Sequence, residues 1–141
     1  MTGFTDTLLA SNLASVDSAE AMVVESAATL GFDEDARMDL GLAIREAMVN
    51  AVAHGNAYSP NKQVRLILEA QGDAIRVTII DQGQGFDLNQ VPDPTRGENL
   101  MRESGRGLLL MQAFVDEFSV KRSPAGGAEV VLVKYASETG R

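Results

Sequence analysis

The sequence predicts an α+β fold, a two-layer sandwich in which helices pack on one face of a mostly antiparallel sheet. Apolar and polar residues alternate in several short runs, as where Ile75, Val77 and Ile79 enclose Arg76 and Thr78, and this period of two is typical of strands with one buried face. Strands also follow one another through short turns more often than through helices. That order favours antiparallel pairing over helical crossovers.

The first half of the chain contains one strand and two helices. Residues 4–10 are interpreted as the strand. Asp17 and Glu20 have capping-box spacing, with Asp in place of Ser or Thr, and predict a first helix that ends at Gly31. Asp33 is the predicted N-cap of a second helix over 34–53. Its apolar stripe consists of Leu40, Ile44, Ala47, Met48, Ala51 and Val52.

The second half contains two hairpins separated by a long connection and a helix. Runs 63–69 and 73–81 form the first predicted hairpin, and runs 117–123 and 128–135 form the second, around the turn SPAGG. The run 107–115 predicts the third helix. Residues 86–104 have glycine, proline and mixed charges without a period, which in a compact domain is typical of a lid or a binding loop. We expect residues 1–141 to form a single domain.

Composition excludes several classes of site. The chain has no cysteine and one histidine, so it has no disulfide framework and no thiolate metal site. Its formal net charge of −8 repels nucleic acid, although helix-end amides can still bind a nucleotide's phosphates locally. No apolar run approaches the roughly 20 residues needed to span a bilayer. We therefore expect a cytoplasmic protein that contacts neither membrane nor nucleic acid.

The stretch EAMVNAVAHGN places Glu46 and Asn50 four residues apart, on one face of the second predicted helix. A carboxylate can accept a proton from a hydroxyl. A carboxamide oxygen can bind a hard cation such as Mg²⁺, which prefers oxygen ligands. The pair suits a metal-bound nucleotide with a nucleophile beside it. A solvated polar stripe opposite the core is the alternative interpretation, because such spacing is common on amphipathic helices.

The stretch IIDQGQGFD ends a predicted buried strand with Asp81, followed by Gly83 and Gly85. A carboxylate at a strand end can accept a hydrogen bond from the exocyclic amine of adenine. Glycines let the backbone approach the ring, since no Cβ intervenes. A simple turn is the alternative, because Asp and Gly are frequent in turns.

The stretch SGRG at 104–107 lies where the predicted lid enters the third helix. Free amides and the positive end of the helix dipole favour an anion there, and Arg106 or Arg102 can add charge near a terminal phosphate. A capped helix start with Ser104 as N-cap is the alternative. Because the three stretches together supply a base, a metal ligand and a phosphate site, they indicate that ATP is the ligand.

These stretches resemble the N-box and the two glycine boxes of the GHKL ATPase superfamily, which includes gyrase, Hsp90, histidine kinases and MutL. Within it, the sequence is most similar to the anti-sigma factor serine kinases of the bacterial general-stress and sporulation type. The resemblance extends over roughly residues 8–135 and implies the Bergerat ATP-binding fold.

The resemblance also implies a role for each matching residue. Glu46 would be the general base toward the acceptor hydroxyl, Asn50 the Mg²⁺ ligand, and Asp81 the acceptor for the adenine amine. Two further groups complete the implied site: Gly83 and Gly85 around the base, and Arg102, Gly105, Arg106 and Gly107 around the phosphates.

The implied activity is Mg-ATP-dependent transfer of the γ-phosphate to a serine of a small anti-anti-sigma (STAS-type) protein. The family also binds and silences a sigma factor, typically as a homodimer. A nucleotide- or partner-binding switch that transfers no phosphate is the alternative, although Glu46 favours catalysis. A histidine kinase catalytic domain ranks third, because no phosphoacceptor helix hairpin is present.

The sequence departs from the family's pattern at two places. Relatives commonly have Thr after the glycine that precedes the last strand, where its hydroxyl supports the adenine-binding Asp; here Ala128 follows Gly127. Glu103 occupies a position where relatives can have Arg, so whether Arg102 or Arg106 reaches the phosphate is left open. His54 is interpreted as a residue that ends its helix.

Overall fold

The computed structural model describes residues 2–83 and 103–136, with side chains for 3–83 and 109–136. Its strands form one antiparallel sheet in the order β1-β2-β3-β5-β4, which confirms the predicted fold class. The strands are β1 (Thr2–Ala10), β2 (Gln63–Gln71), β3 (Ala74–Ile80), β4 (Glu117–Arg122) and β5 (Ala128–Tyr135). The helices are α1 (Leu13–Thr29), α2 (Glu34–Val49), a π-helix (Asn50–Gly55) and α3 (Glu103–Phe114).

Helix α1 begins earlier than the sequence pattern predicts. Asn12 is its N-cap, because the carboxamide oxygen accepts the Ser15 N–H at 3.0 Å. Asp17, the predicted cap, lies inside the helix, and its carboxylate bonds Arg45 of α2 at 2.5 Å instead of a backbone amide. The capping-box assignment was wrong because Asn12, directly after β1, supplies an equally good acceptor one turn earlier.

Helix α2 begins as predicted, with the Asp33 carboxylate accepting the Ala36 N–H at 2.8 Å. It does not continue to residue 53 as a regular α-helix. The chain widens at Asn50 into a six-residue π-helix that ends at Gly55. Such widened turns are rare and occur often at functional sites.

The core lies between the helices and one face of the sheet. Alternate residues of the central strands point into it, while Arg65, Glu69 and Arg76 lie on the opposite face. This alternation matches the predicted period of two. The buried cluster joins Val16, Ala19, Val23, Leu40, Ile44 and Met48 of the helices to Leu66, Leu68, Ile75, Val77, Ile79 and Leu132 of the strands.

Helix α3 begins at Glu103, four residues before the predicted start at Gly107. Glycine is a poor helix former, but α3 packs against α2, and tertiary packing overrides weak local propensity. At its other end the Lys134 ammonium donates to the Phe114 carbonyl at 3.1 Å. A cation there stabilises the helix C-terminus. In the described ranges, no helix is both long and apolar enough to cross a bilayer.

Replacing the observed cap of α1 should destabilise the protein more than replacing the predicted one. Asn12→Ala removes the oxygen that accepts the Ser15 N–H, so we expect the free energy of unfolding to fall by about 1 kcal/mol. Asp17→Ala removes only an exposed ion pair and should cost less than about 0.5 kcal/mol. Urea denaturation followed by circular dichroism measures both, and a larger loss for Asp17→Ala would contradict this assignment.

Candidate functional site

The carboxylate of Asp81 is held at the end of β3 by backbone groups. Its Oδ1 accepts the N–H of Gly83 at 2.9 Å and the N–H of Ala128 at 3.0 Å. Its own N–H donates to the Ala128 carbonyl at 3.0 Å, so the main chain is fixed as well. The residue is 6% exposed. Within the described residues Oδ2 accepts no hydrogen bond, which leaves one oxygen of a buried carboxylate available to an outside donor.

Three glycines pack directly around Asp81. A Cβ at Gly55 would lie 2.5 Å from the Asp81 carboxyl carbon, and a Cβ at Gly127 would lie 2.8 Å from Oδ1. A Cβ at Gly83 would in turn lie 2.6 Å from the carbonyl carbon of Gly55. Real Cβ atoms do not approach other atoms so closely, so this packing requires glycine at all three positions.

Ala128 supports Asp81 without a side-chain hydroxyl. Its N–H donates to Asp81 Oδ1, and its carbonyl accepts the Asp81 N–H, so two backbone bonds join the residues. Thr in place of Ala128 would contribute a further donor from its hydroxyl. The departure from the family pattern therefore leaves the carboxylate oriented.

Asn50 begins the π-helix and is 6% exposed. Its side-chain oxygen is buried and has no hydrogen-bond partner among the described residues. Buried polar atoms are nearly always paired, so an orphaned oxygen of this kind requires an explanation. A cation is one partner that a carboxamide oxygen can take.

Glu46 lies one helical turn before Asn50, near the end of α2. It is half-buried, and it makes no hydrogen bond or ion pair with any residue that the structure describes. The first motif therefore places a half-buried carboxylate and a buried carboxamide oxygen on adjacent turns, both without a partner among the described residues. The burial of Asn50 is not what a solvated polar stripe predicts.

The first two motifs meet in space, because Gly55 ends the π-helix that Asn50 begins and packs against Asp81. The third motif lies on α3, which packs against α2. Gly105 and Arg106, which the sequence had predicted to precede the helix, are in the first turn of α3, and Gly107, the predicted first residue, directly follows that turn. The first four amides of a helix have no intrahelical acceptor, so an anion can still bind there. Gly85, Arg102 and the predicted lid, apart from Glu103 and Ser104, lie outside the described residues.

A family model described as the histidine kinase-like ATPase domain matches residues 9–134. The chain belongs to this family. It is 32% identical to the serine-protein kinase RsbW of Oceanobacillus iheyensis, with 77% of this chain and 72% of that protein covered. It is 30% identical to RsbW of Bacillus subtilis, with 77% and 71% covered. With the anti-sigma F factor of Clostridium beijerinckii it shares 33% identity, with 68% of each chain covered.

Solved structures agree with this ATPase fold. The RsbU and RsbW domains of a Mycobacterium tuberculosis protein superpose with a TM-score of 0.63 at 22% identity, covering 94% of this chain and 32% of that one. The histidine kinase domain of a blue-light activated kinase from Erythrobacter litoralis gives a TM-score of 0.58 at 18% identity, with 89% and 61% covered. At these identities the likeness concerns the fold alone.

The residues present fit a magnesium ion only if a bound ligand completes its coordination. In the part of the ATPase domain that the structure describes, no cluster of three or more His, Asp or Glu side chains could hold a metal by itself. The orphaned Asn50 oxygen supplies one hard ligand. Mg²⁺ is commonly bound by one or two protein oxygens together with substrate phosphates and water, so this sparse donor set suits it.

Sequence reasoning missed Asn56, which it treated only as part of a helix stop. Asn56 is completely buried, and its carboxamide bonds Ser11, Gln63 and Gln82. An asparagine after His-Gly is common in turns, so the local pattern does not distinguish an exposed turn residue from a buried one. His54, two residues earlier, is exposed in the last turn of the π-helix, as expected for a residue that ends a helix.

The close packing around Asp81 should make Gly127 intolerant of even one methyl group. Gly127→Ala forces a Cβ against the Asp81 backbone, so we expect the free energy of unfolding to fall by about 1–3 kcal/mol. Gly3→Ala is the matched control, because its Cβ would meet only the Ala70 Cβ at 3.9 Å. Chemical denaturation measures both variants. Equal stability of the two would show that the packing around Asp81 is looser than described.

Proposed function

We propose that this chain is a Mg-ATP-dependent protein-serine kinase. Its substrate is a serine of an anti-anti-sigma (STAS-type) protein, and it also sequesters a sigma factor, as an anti-sigma factor does. The observation that carries the proposal is the buried Asp81 carboxylate, in which one oxygen is fixed by backbone amides and the other, beside Gly55, accepts no hydrogen bond from the described residues. The names of the relatives, serine-protein kinase RsbW and anti-sigma F factor, support the choice of activity.

In this proposal Asp81 recognises adenine. The exocyclic amine donates to the carboxylate oxygen that has no other partner among the described residues. The glycines that follow it in the sequence, Gly83 and Gly85, would bring no side chain to the purine ring, and Gly83 also packs on Gly55. A guanine or hypoxanthine ring has a carbonyl oxygen at that position, which a carboxylate repels. The geometry therefore favours adenine over these two bases.

The phosphate chain would lie between the first and third motifs. The amides in the first turn of α3, up to Gly105 and Arg106, offer donors to the phosphate oxygens, and Gly107 adds no side chain beside them. Arg106 or Arg102 adds a positive charge. Asn50 would hold Mg²⁺ through its side-chain oxygen, and the ion supplies charge neutralisation to the phosphates when bound.

The chemical step then needs one further group, a base for the attacking hydroxyl. Glu46 accepts the proton of the partner's serine while the serine oxygen forms a bond to the γ-phosphorus. The bond between that phosphorus and the β–γ bridging oxygen breaks, and ADP leaves. Because phosphoryl transfer depends mainly on positioning and charge, so small a set of groups is sufficient. This function requires a cytoplasmic location, since transcription and ATP are there.

Glu46→Gln should separate catalysis from binding. With labelled ATP, Mg²⁺ and STAS-type proteins from the same organism as candidate acceptors, the unaltered chain should label a partner serine. In Glu46→Gln we expect the rate to fall by about a hundredfold or more, because a general base contributes that much. Affinity for ADP should change by less than about threefold, since in this proposal Glu46 contacts the serine hydroxyl and not the adenine ring.

Glu34→Gln is the matched control, because Glu34 is an exposed carboxylate in the first turn of the same helix. It should keep the full rate. Undiminished labelling by Glu46→Gln would exclude Glu46 as the base. Nucleotide binding without labelling of any partner would favour the alternative function, a switch that binds nucleotide and transfers nothing.

We also propose that the protein forms a homodimer through the free edge of β1. This nine-residue edge strand has one charged side chain, Asp6, which hydrogen bonds from Arg65 of the neighbouring strand neutralise. These bonds also hold the pKa of Asp6 below its ordinary value. Phe4 and Leu8 are 69% and 58% exposed beside it. The opposite edge, β4, is shorter and carries Glu117, Lys121 and Arg122, which protect an edge from pairing.

A charge on β1 should therefore dissociate the dimer. Leu8→Lys is expected to give a monomer by sedimentation equilibrium at a concentration where the unaltered chain is dimeric, because a lysine on an edge strand opposes pairing. Met38→Lys replaces an apolar residue of similar exposure (59%) on α2 and should leave the dimer intact. A dimer that survives Leu8→Lys but not Met38→Lys would move the interface to the helical face.

A further inference from the structure

Asn56 joins three separate segments of the chain through one side chain. It is 0% exposed and directly follows the π-helix. Its amide nitrogen donates to Ser11 Oγ at 2.9 Å and to the Gln63 carbonyl at 3.1 Å. Its oxygen accepts the Gln82 N–H at 2.7 Å. The carboxamide thus connects the end of β1, the start of β2 and the residue after Asp81.

The bond to Gln82 fixes the peptide that follows Asp81. The peptide before Asp81 is already fixed, because the Asp81 N–H donates to Ala128. With the peptides on both sides of its Cα held, the direction of the Asp81 Cα–Cβ bond is fixed, and the bonds from Gly83 and Ala128 then orient the carboxylate. Gln82 itself is exposed, so without Asn56 its N–H would bond water, and this peptide would lose the bond that holds it directly. The bond from the Gln63 N–H to the Gln82 side chain would remain.

Asn56 also determines where Gly55 lies. The Asn56 N–H donates to the Ala51 carbonyl at 2.8 Å, and its carbonyl accepts the Ser59 N–H at 3.0 Å. These bonds lock the chain at the end of the π-helix, where Gly55 packs against the Asp81 carboxylate. The main chain of Asn56 therefore holds the wall of the pocket, and its side chain holds the peptide that follows Asp81; only the second contribution is lost in Asn56→Ala.

We propose that Asn56 is a positioning residue for base recognition, acting through Asp81 rather than by contact with the nucleotide. The inference rests on the proposed function, since it concerns the same adenine pocket. A positioning role can be distinguished from a purely structural one. If Asn56 positions Asp81, its loss weakens the preference for adenine over a base without the amine, in addition to any loss of stability.

Ser11 provides the matched control. It is 6% exposed, accepts the bond from Asn56, and donates to the Lys62 carbonyl at 2.6 Å. Ser11→Ala therefore weakens the same buried network but leaves the Asn56–Gln82 bond in place. Asn56→Ala removes the bond to Ser11 and the bond to Gln82.

The experiment measures ADP and inosine diphosphate affinities by calorimetry in the presence of Mg²⁺, at a temperature where thermal denaturation shows each variant folded. Inosine has a carbonyl oxygen where adenine has its amine. The unaltered chain should prefer ADP. In Asn56→Ala we expect the preference to fall by about tenfold, as when a buried hydrogen bond is lost. In Ser11→Ala it should stay within about twofold.

A folded Asn56→Ala with an unchanged preference, or an equal loss in Ser11→Ala, would overturn the inference. Asp81→Asn keeps one oxygen that can accept both backbone N–H groups. The fall that it causes in the preference for ADP is the largest that Asn56→Ala can be expected to reach. If the unaltered chain binds neither nucleotide, or Asp81→Asn keeps the preference, the proposed function itself fails.

If Asn56→Ala does not fold, amide hydrogen exchange of the unaltered chain tests the inference instead. ADP should slow exchange at Gln82 more than inosine diphosphate does, and equal slowing would overturn the inference.

Discussion

The site depends on one packing constraint, the enclosure of the Asp81 carboxylate by backbone. Burying a carboxylate is costly unless hydrogen bonds compensate it, and here main-chain amides of Gly83 and Ala128 do so at a single oxygen. The surrounding chain approaches so closely that Gly55, Gly83 and Gly127 have no room for a side chain. These contacts bring the end of the π-helix, the end of β3 and the start of β5 to one point. The first two motifs are thereby brought into direct contact.

Most of the architecture follows from local rules in the sequence. The period-two runs predicted both hairpins because these strands have one buried and one exposed face. Asp33 predicted the start of α2 because it is the first side-chain acceptor after Gly31, which ends the preceding helix. The start of α1 was wrong for the opposite reason, since Asn12 and Asp17 both satisfy capping chemistry and only the path of the chain after β1 selects between them. Helix α3 shows the second limit of local reasoning. Its glycines predict a late start, and packing against α2 produces an early one.

The chemical groups of the candidate site can be predicted from the sequence, but the residues and backbone that hold those groups in place cannot. Glu46, Asn50 and Asp81 are polar residues in patterns that point to a ligand, so the sequence alone is sufficient to predict them as site residues. Asn56 gives no such signal, because its three partners are distant in sequence and only the fold brings them together. The π-helix was equally invisible, since it differs from an α-helix by one residue per turn within a continuous apolar stripe. Residues that position a binding residue without touching the ligand are hard to find from sequence, because their role is defined by tertiary contacts.

The hydrogen bond from the Ala128 N–H to Asp81 determines which substitutions the pocket tolerates at position 128. A main-chain N–H is present in every residue except proline, so the support it gives does not depend on which side chain follows Gly127. Alanine, serine or threonine at that position can all orient the acidic group. Sequence drift at the start of the last strand is therefore compatible with an intact pocket. A comparison that scores only side-chain identity there would miss the support that the main chain gives to Asp81.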